Sequence, residues 1–249
     1  VSDYQNQAIA ELDAWKRKVQ KAPGPFDAAA KHLQTRVNAL IPEKVHAAVT
    51  KVIEQMTKGI LIGSDFTAPA PFMVGTLEDR ETKVRARIDS WKKIAATEGG
   101  IAGAGGFLLA AADFPVLISL KIKTLFDIGA LYGRDGADFA ERLFILRIFE
   151  LAFSSARHRV KVFDQLEAWR EVDPDRPTSF EDFDWRSFQQ EYRDYIDLAK
   201  LAQLLPIVGA PVGAMVNWRL LERLGETAMM AYRMRWLAEQ AELQPRMTV

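Results

Sequence analysis

Cysteine is absent from the 249-residue chain. No disulfide framework, thiolate nucleophile, Cys-ligated zinc or iron–sulfur cluster can be built from it, and a reducing compartment is permitted. Histidine is scarce, with three residues, His32, His46 and His158. None belongs to an HExxH or Glu-x-x-His motif, so neither a zinc protease nor a four-helix carboxylate di-metal centre is expected, and no metal or cofactor is assigned. Net charge is missing too: 33 Lys plus Arg balance 33 Asp plus Glu. That balance disfavours bulk electrostatic binding of nucleic acid. Ser64-Asp65, Ser119 and Ser154-Ser155 lack a Gly-x-Ser-x-Gly elbow, which leaves a serine hydrolase without local support. Period-two strands are also wanting, since Ile60-Leu61-Ile62 is too short to establish a sheet.

What is present is helical punctuation. Ser2 with Gln5 resembles a capping box, and Ile9, Leu12, Trp15 and Val19 then recur at helical intervals. Pro23-Gly24-Pro25 ends that helix, a second pattern runs to about Leu40, and Pro42 opens a third with Val45, Val49, Val52, Ile53 and Met56 on its apolar side. The stretch from Gly63 to Gly75 reads as a connector. Thr76 with Asp79 caps a long charged helix expected to run to about Glu98. Asp135 with Asp138 starts another, whose stretch from Phe139 to Phe153 is apolar nearly all round and should be buried. Within it Arg147 and Glu150 have the three-residue spacing of an ion pair. A helix is expected from Arg157 to Arg170, an acidic Pro-containing loop from Glu171 to Asp184, a further helix from Asp184 to Leu204, and a final one from about Glu226 to Glu242. The acidic loop lacks the glycine and terminal glutamate of an EF-hand and reads as solvated.

Two segments differ from all of this. From Gly99 to Leu120 the one ionisable side chain is Asp113, and five glycines crowd the first half. Gly99 with Gly103 and Ala102 with Gly106 put small residues on one helix face, and Gly209 with Gly213 repeats the spacing, as close backbone approach requires. No strand precedes these glycines and no Gly-Lys-Ser/Thr follows, so they do not form a phosphate cradle. Insertion of Gly99 to Leu120 into a bilayer gains roughly 4.5 kcal/mol from its large apolar residues and loses about 3 to Asp113. That margin favours a buried helical hairpin, or reversible contact with a membrane, over an independent span. Asp113 precedes Phe114-Pro115 and suits the cap of a helix beginning at Pro115.

The charge balance is uneven along the chain. Residues 1–97 carry fifteen basic and eleven acidic side chains, and residues 98–249 carry eighteen and twenty-two. A solvated face, or a docking face for anionic lipid or an acidic partner, fits the basic excess. Val1 to Gln7 lacks the basic and apolar regions of a secretory signal, so an exported protein is not expected.

These residues together resemble the EcsC family. The resemblance rests on Glu98-Gly99-Gly100 with the following glycines, Asp113-Phe114-Pro115, Tyr132-Gly133, Glu141 ahead of an apolar helix, and Leu205-Pro206-Ile207-Val208-Gly209-Ala210 with Gly213 and Asn217. It is clearest over residues 80–240. The family takes its name from a protein encoded beside an ABC transporter linked to secretion, and the resemblance implies a bacterial-envelope context more than a reaction. The expectation is an all-α, multi-helix single domain over residues 1–249, with two central Gly-rich apolar helical elements. Gly99, Gly103, Gly106, Gly209 and Gly213 would serve close packing. Glu98, Asp113, Tyr132, Glu141 and Asn217 would line a polar interior or ligand patch. The expected function is that of a non-enzymatic, membrane-associated accessory or lipid-interacting protein, cytoplasmic and peripheral to the inner face of the membrane. Its partner would be membrane lipid or a membrane protein. The alternatives are a hydrolase-like enzyme with an acidic site around Asp113 and Glu141, and a soluble helical interaction module.

Overall fold

Stripes of apolar residues at spacings of three and four generate every element of the fold. The computed structural model describes residues 2–21, 69–104, 114–171, 173, 176–179, 181–185, 188 and 209–243. Six helices and no strand occur among them: α1 (Asp3–Val19), α2 (Leu77–Ala104), α3 (Phe114–Leu131), α4 (Phe139–Phe153), α5 (Ala156–Glu167) and α6 (Gly209–Leu243). The expected helices within residues 22–68 and from Asp184 to Leu204, the break at Leu205-Pro206, Asp113 and Gly106 lie outside the described residues.

Helix starts follow local hydrogen-bond chemistry. Ser2 Oγ accepts from the Gln5 N–H at 3.2 Å. Before α2, Thr76 Oγ1 accepts from the Asp79 N–H at 3.2 Å and the Asp79 carboxylate accepts from the Thr76 N–H at 2.9 Å, a reciprocal box. Asp138 caps α4 by accepting from the Ala140 N–H at 3.1 Å. The end of α3 is a Schellman turn on Gly133 at φ +82°: its N–H donates to Ala130 O and the Arg134 N–H to Gly129 O.

Two helix boundaries differ from the sequence reading. α2 continues through Gly99 and Gly100 to Ala104, and α6 begins at Gly209, well before Glu226. Interior glycines cost a helix only about 1 kcal/mol each relative to alanine, and the long mutual packing of α2 and α6 outweighs that. Pro211 and Pro115 are accommodated because each lies in a first turn, where no intrahelical N–H partner is lost.

The α2–α6 pair is the spine. In α2 the buried stripe is Leu77, Glu81, Val84, Ile88, Trp91 and Ala95; in α6 it is Asn217, Leu221, Leu224, Ala228 and Ala231. Both follow alternating steps of four and three, the heptad period of a coiled-coil seam. Glu81 meets Arg233, Ile88 meets Gly225 and Lys92 meets Glu222, so the two helices run antiparallel. A Cβ on Gly225 would fall 2.7 Å from Ile88 Cγ1, a close approach of the two helices. α3 crosses them, with the Trp91 indole N–H donating to Asp127 at 2.9 Å. α4 is buried on nearly all sides, as its composition predicts, with Phe144 against Tyr232 and Trp169 at ring separations of 5.1 and 5.0 Å. α1 lies across α2, α5 and α6, burying Ala8 and Leu12 and setting Trp15 edge-on to Phe163.

Candidate functional site

Two carboxylates lie deep in this helical core, and each is engaged at both oxygens. Glu81 stands on the apolar stripe of α2 with none of its surface exposed. Its Oε1 accepts from Arg233 Nε at 2.6 Å and from the Tyr132 hydroxyl at 3.0 Å; its Oε2 accepts from the second Arg233 nitrogen and from the Tyr4 hydroxyl at 2.6 Å. Arg233 is equally buried, and its remaining terminal nitrogen donates to Ala8 O and to Glu11, both at 3.0 Å. Burial works against the charge on Arg233, but the bonds and charges of Glu81 and Glu11 outweigh it and raise the guanidinium pKa above its ordinary value. One arginine thus ties α1, α2 and α6 together.

Glu141, in the first turn of α4, forms the second centre. Its Oε1 accepts from the Tyr232 hydroxyl and its Oε2 from Arg235 at 2.8 Å. Arg235 also lies 3.5 Å from Glu239, which in turn takes a hydrogen bond from Arg134 at 2.6 Å. Tyr132 and Tyr232 stack at 5.4 Å between the two centres, and each hydroxyl points to its own carboxylate. Burial is the main cause that pushes both phenol pKa values well up, helped by the adjacent carboxylates. Both tyrosines therefore act as neutral donors. Gly129 makes room for this arrangement, because a Cβ there would fall 2.7 Å from the Tyr232 hydroxyl.

A third buried carboxylate, Glu150, accepts from Arg147 at 2.7 Å and contacts His158 Nε2 at 2.5 Å. The pairing expected from the Arg147–Glu150 spacing is present. Placed in this way, the buried carboxylates serve cohesion. Breaking such a pair from one side costs about 3–5 kcal/mol.

Four of the five residues read from the sequence as a polar patch are described, and they lie at two levels of the α2–α6 pair. Tyr132 and Glu141 meet through Tyr232. Glu98 is half-buried, about 25 Å along α2 from Glu81. Asn217 lies about 22 Å along α6 from Tyr232 and at the level of Glu98 in the antiparallel register. Its side chain is buried, and Nδ2 has no hydrogen-bond partner among the described residues. Asp113 lies outside the described residues. Of the glycines, Gly99 and Gly103 belong to α2 and Gly209 and Gly213 to α6. Among the described residues, close approaches also occur at Gly129 and Gly225, which sequence reading passed over. Glu81 was overlooked as well, although a signal existed: it occupies an apolar heptad position of α2.

No cluster able to hold a metal ion occurs among the described residues. No described helix is long and apolar enough to cross a membrane.

No solved structure matches. The chain is 42% identical over 234 residues to the protein EcsC of Bacillus subtilis (strain 168), covering 94% of this chain and 96% of that protein. It is 23% identical over 254 residues to an uncharacterized protein, YdbA, of the same organism, covering 94% and 93% of the two chains. The EcsC protein family matches residues 6–237. With that match running from α1 into α6, the chain belongs to the EcsC family.

Proposed function

We propose that the chain is a non-enzymatic accessory protein that associates peripherally with the inner face of a membrane through anionic lipid. The observation that carries this reading is the outward side of α2. Between Thr82 and Thr97 it bears Lys83, Arg85, Arg87 and Lys93 against one exposed acid, Asp89, which lies 3.0 Å from the buried Lys92. Lys83, Arg85, Arg87 and Lys93 are all exposed. α2 as a whole is nearly balanced, with six basic and five acidic residues, so these cations form a local cluster on it, and each such cation near an anionic surface contributes about 1 kcal/mol of attraction.

The buried network supports the non-enzymatic part of the reading. Both oxygens of Glu81 and Glu141 accept hydrogen bonds from arginine or tyrosine, and Glu150 accepts from Arg147 and contacts His158. A carboxylate held in this way by a cation or a phenol is stabilised in its charged form, which disfavours its taking a substrate proton. A hydrolase-like site at Glu141 would have to break its bonds to Tyr232 and Arg235. The transporter context implied by the family resemblance adds a membrane protein as a second class of partner.

Flotation with vesicles is the test. The expected result is recovery with vesicles of phosphatidylcholine and phosphatidylglycerol, release by salt, and little recovery with phosphatidylcholine alone. Absence of recovery on both compositions overturns the reading in favour of a soluble helical interaction module.

A further inference from the structure

The loop that enters α2 holds two large apolar side chains in water. Met73 is 74% exposed and Val74 79%. Slack backbone is not the cause. The Phe72 N–H donates to Ala130 O at 2.7 Å, and the buried Arg80 donates to Phe72 O at 2.5 Å and to Leu131 O at 2.9 Å. Gly75, at φ +131°, turns the chain into the Thr76–Asp79 box, and a Cβ there would lie 3.0 Å from the Phe72 ring. The loop is therefore clamped at its base while its tip is apolar.

We propose that Met73 and Val74 form a wedge that enters the headgroup–acyl boundary of an anionic bilayer. The inference rests on the membrane reading above and names the part of the molecule that would insert. Two adjacent apolar side chains this exposed can be surrounded by a fluid apolar layer without a preformed pocket. The charges beside the tip fit an anionic surface. Lys83 Nζ lies 5.3 Å from the Phe72 ring centre, and exposed Arg87 is one helical turn further along the same face. These long side chains reach phosphates while the tip lies deeper. Glu78 and Asp79 lie on the same first turn; the Asp79 carboxylate is turned back onto Thr76, and Glu78 is exposed. Their presence leaves insertion at this loop to the apolar tip, while the cations further along α2 supply the preference for anionic lipid.

Because the chain has no cysteine, a single Met73→Cys substitution carries an environment-sensitive dye at one site. Asp164→Cys, exposed on α5, serves as the control. With phosphatidylcholine–phosphatidylglycerol vesicles the dye at position 73 should shift to the blue and brighten, and the dye at position 164 should not. The Met73→Ser/Val74→Ser variant should keep the helical circular dichroism of the parent and lower vesicle partitioning on the order of tenfold or more. If the parent floats with vesicles while the dye at position 73 stays in water and the double variant floats equally well, the wedge is overturned and the membrane reading stands. If the parent does not float, both fall.

Discussion

Arg233 and Glu81 are joined by two parallel hydrogen bonds, one of them 2.6 Å from Nε to Oε1, with neither side chain exposed to solvent. They lie 152 positions apart in sequence. Replacing Arg233 with methionine should destabilise the fold by about 3–5 kcal/mol, since it strands a buried carboxylate. Adding Glu81→Leu should recover part of that loss. Urea unfolding of both single variants and the double variant measures the coupling, and simple additivity would show that the pair is not the unit described.

The stacked tyrosines set the alkaline limit. Tyr132 and Tyr232 have pKa values raised by burial and by Glu81 and Glu141. The folded protein thus retains protons that the unfolded chain releases near 10, so this stability is whole below that pH and is lost as pH rises further. Phenolate absorbance of these two residues should appear together with loss of helical circular dichroism. Tyr132→Phe and Tyr232→Phe should each diminish the step coupled to unfolding.

At the acid end Glu11 acts in the opposite sense. Burial alone would raise its pKa, but hydrogen bonds from Arg233 and Gln7 and the nearby charges of Arg233 and Arg85 hold it below 4.5. Its contribution is present above that value and fades as pH falls. The side chain is 35% exposed, so the effect is about 1 kcal/mol or less. Glu11→Gln should lower stability at neutral pH and make the midpoint of urea unfolding less sensitive to pH on the acid side.

Gly225→Ala tests the contact of α2 with α6. Helix propensity favours alanine by about 1 kcal/mol, but its methyl would fall within 3 Å of three carbons of the buried Ile88. Overpacking of that kind costs about 1–3 kcal/mol and should win. The same substitution made together with Ile88→Ala should be milder than the two losses added, as read by thermal unfolding.

Much of the fold was legible because helix starts and ends are decided within a few residues. Thr76 with Asp79, Asp138 before α4, and Gly133 after α3 each satisfy backbone groups of their own turn. The apolar content of α4 announced its burial in the same way. The full lengths of α2 and α6 were not legible, because glycine and proline lower local propensity while packing between distant helices restores it.

Sequence alone determined the helical class, the missing thiol chemistry, the basic bias of the first 97 residues and the Arg147–Glu150 pair. Tertiary structure alone decided that Glu81 belongs with Arg233, that Glu141 belongs with Tyr232 and Arg235, and that Gly129 and Gly225 let side chains of other helices approach closely. The physical reason is range. A cap or an ion pair one turn away is fixed by helix geometry, whereas a buried charge finds its partner only when helices far apart in the chain fold onto one another.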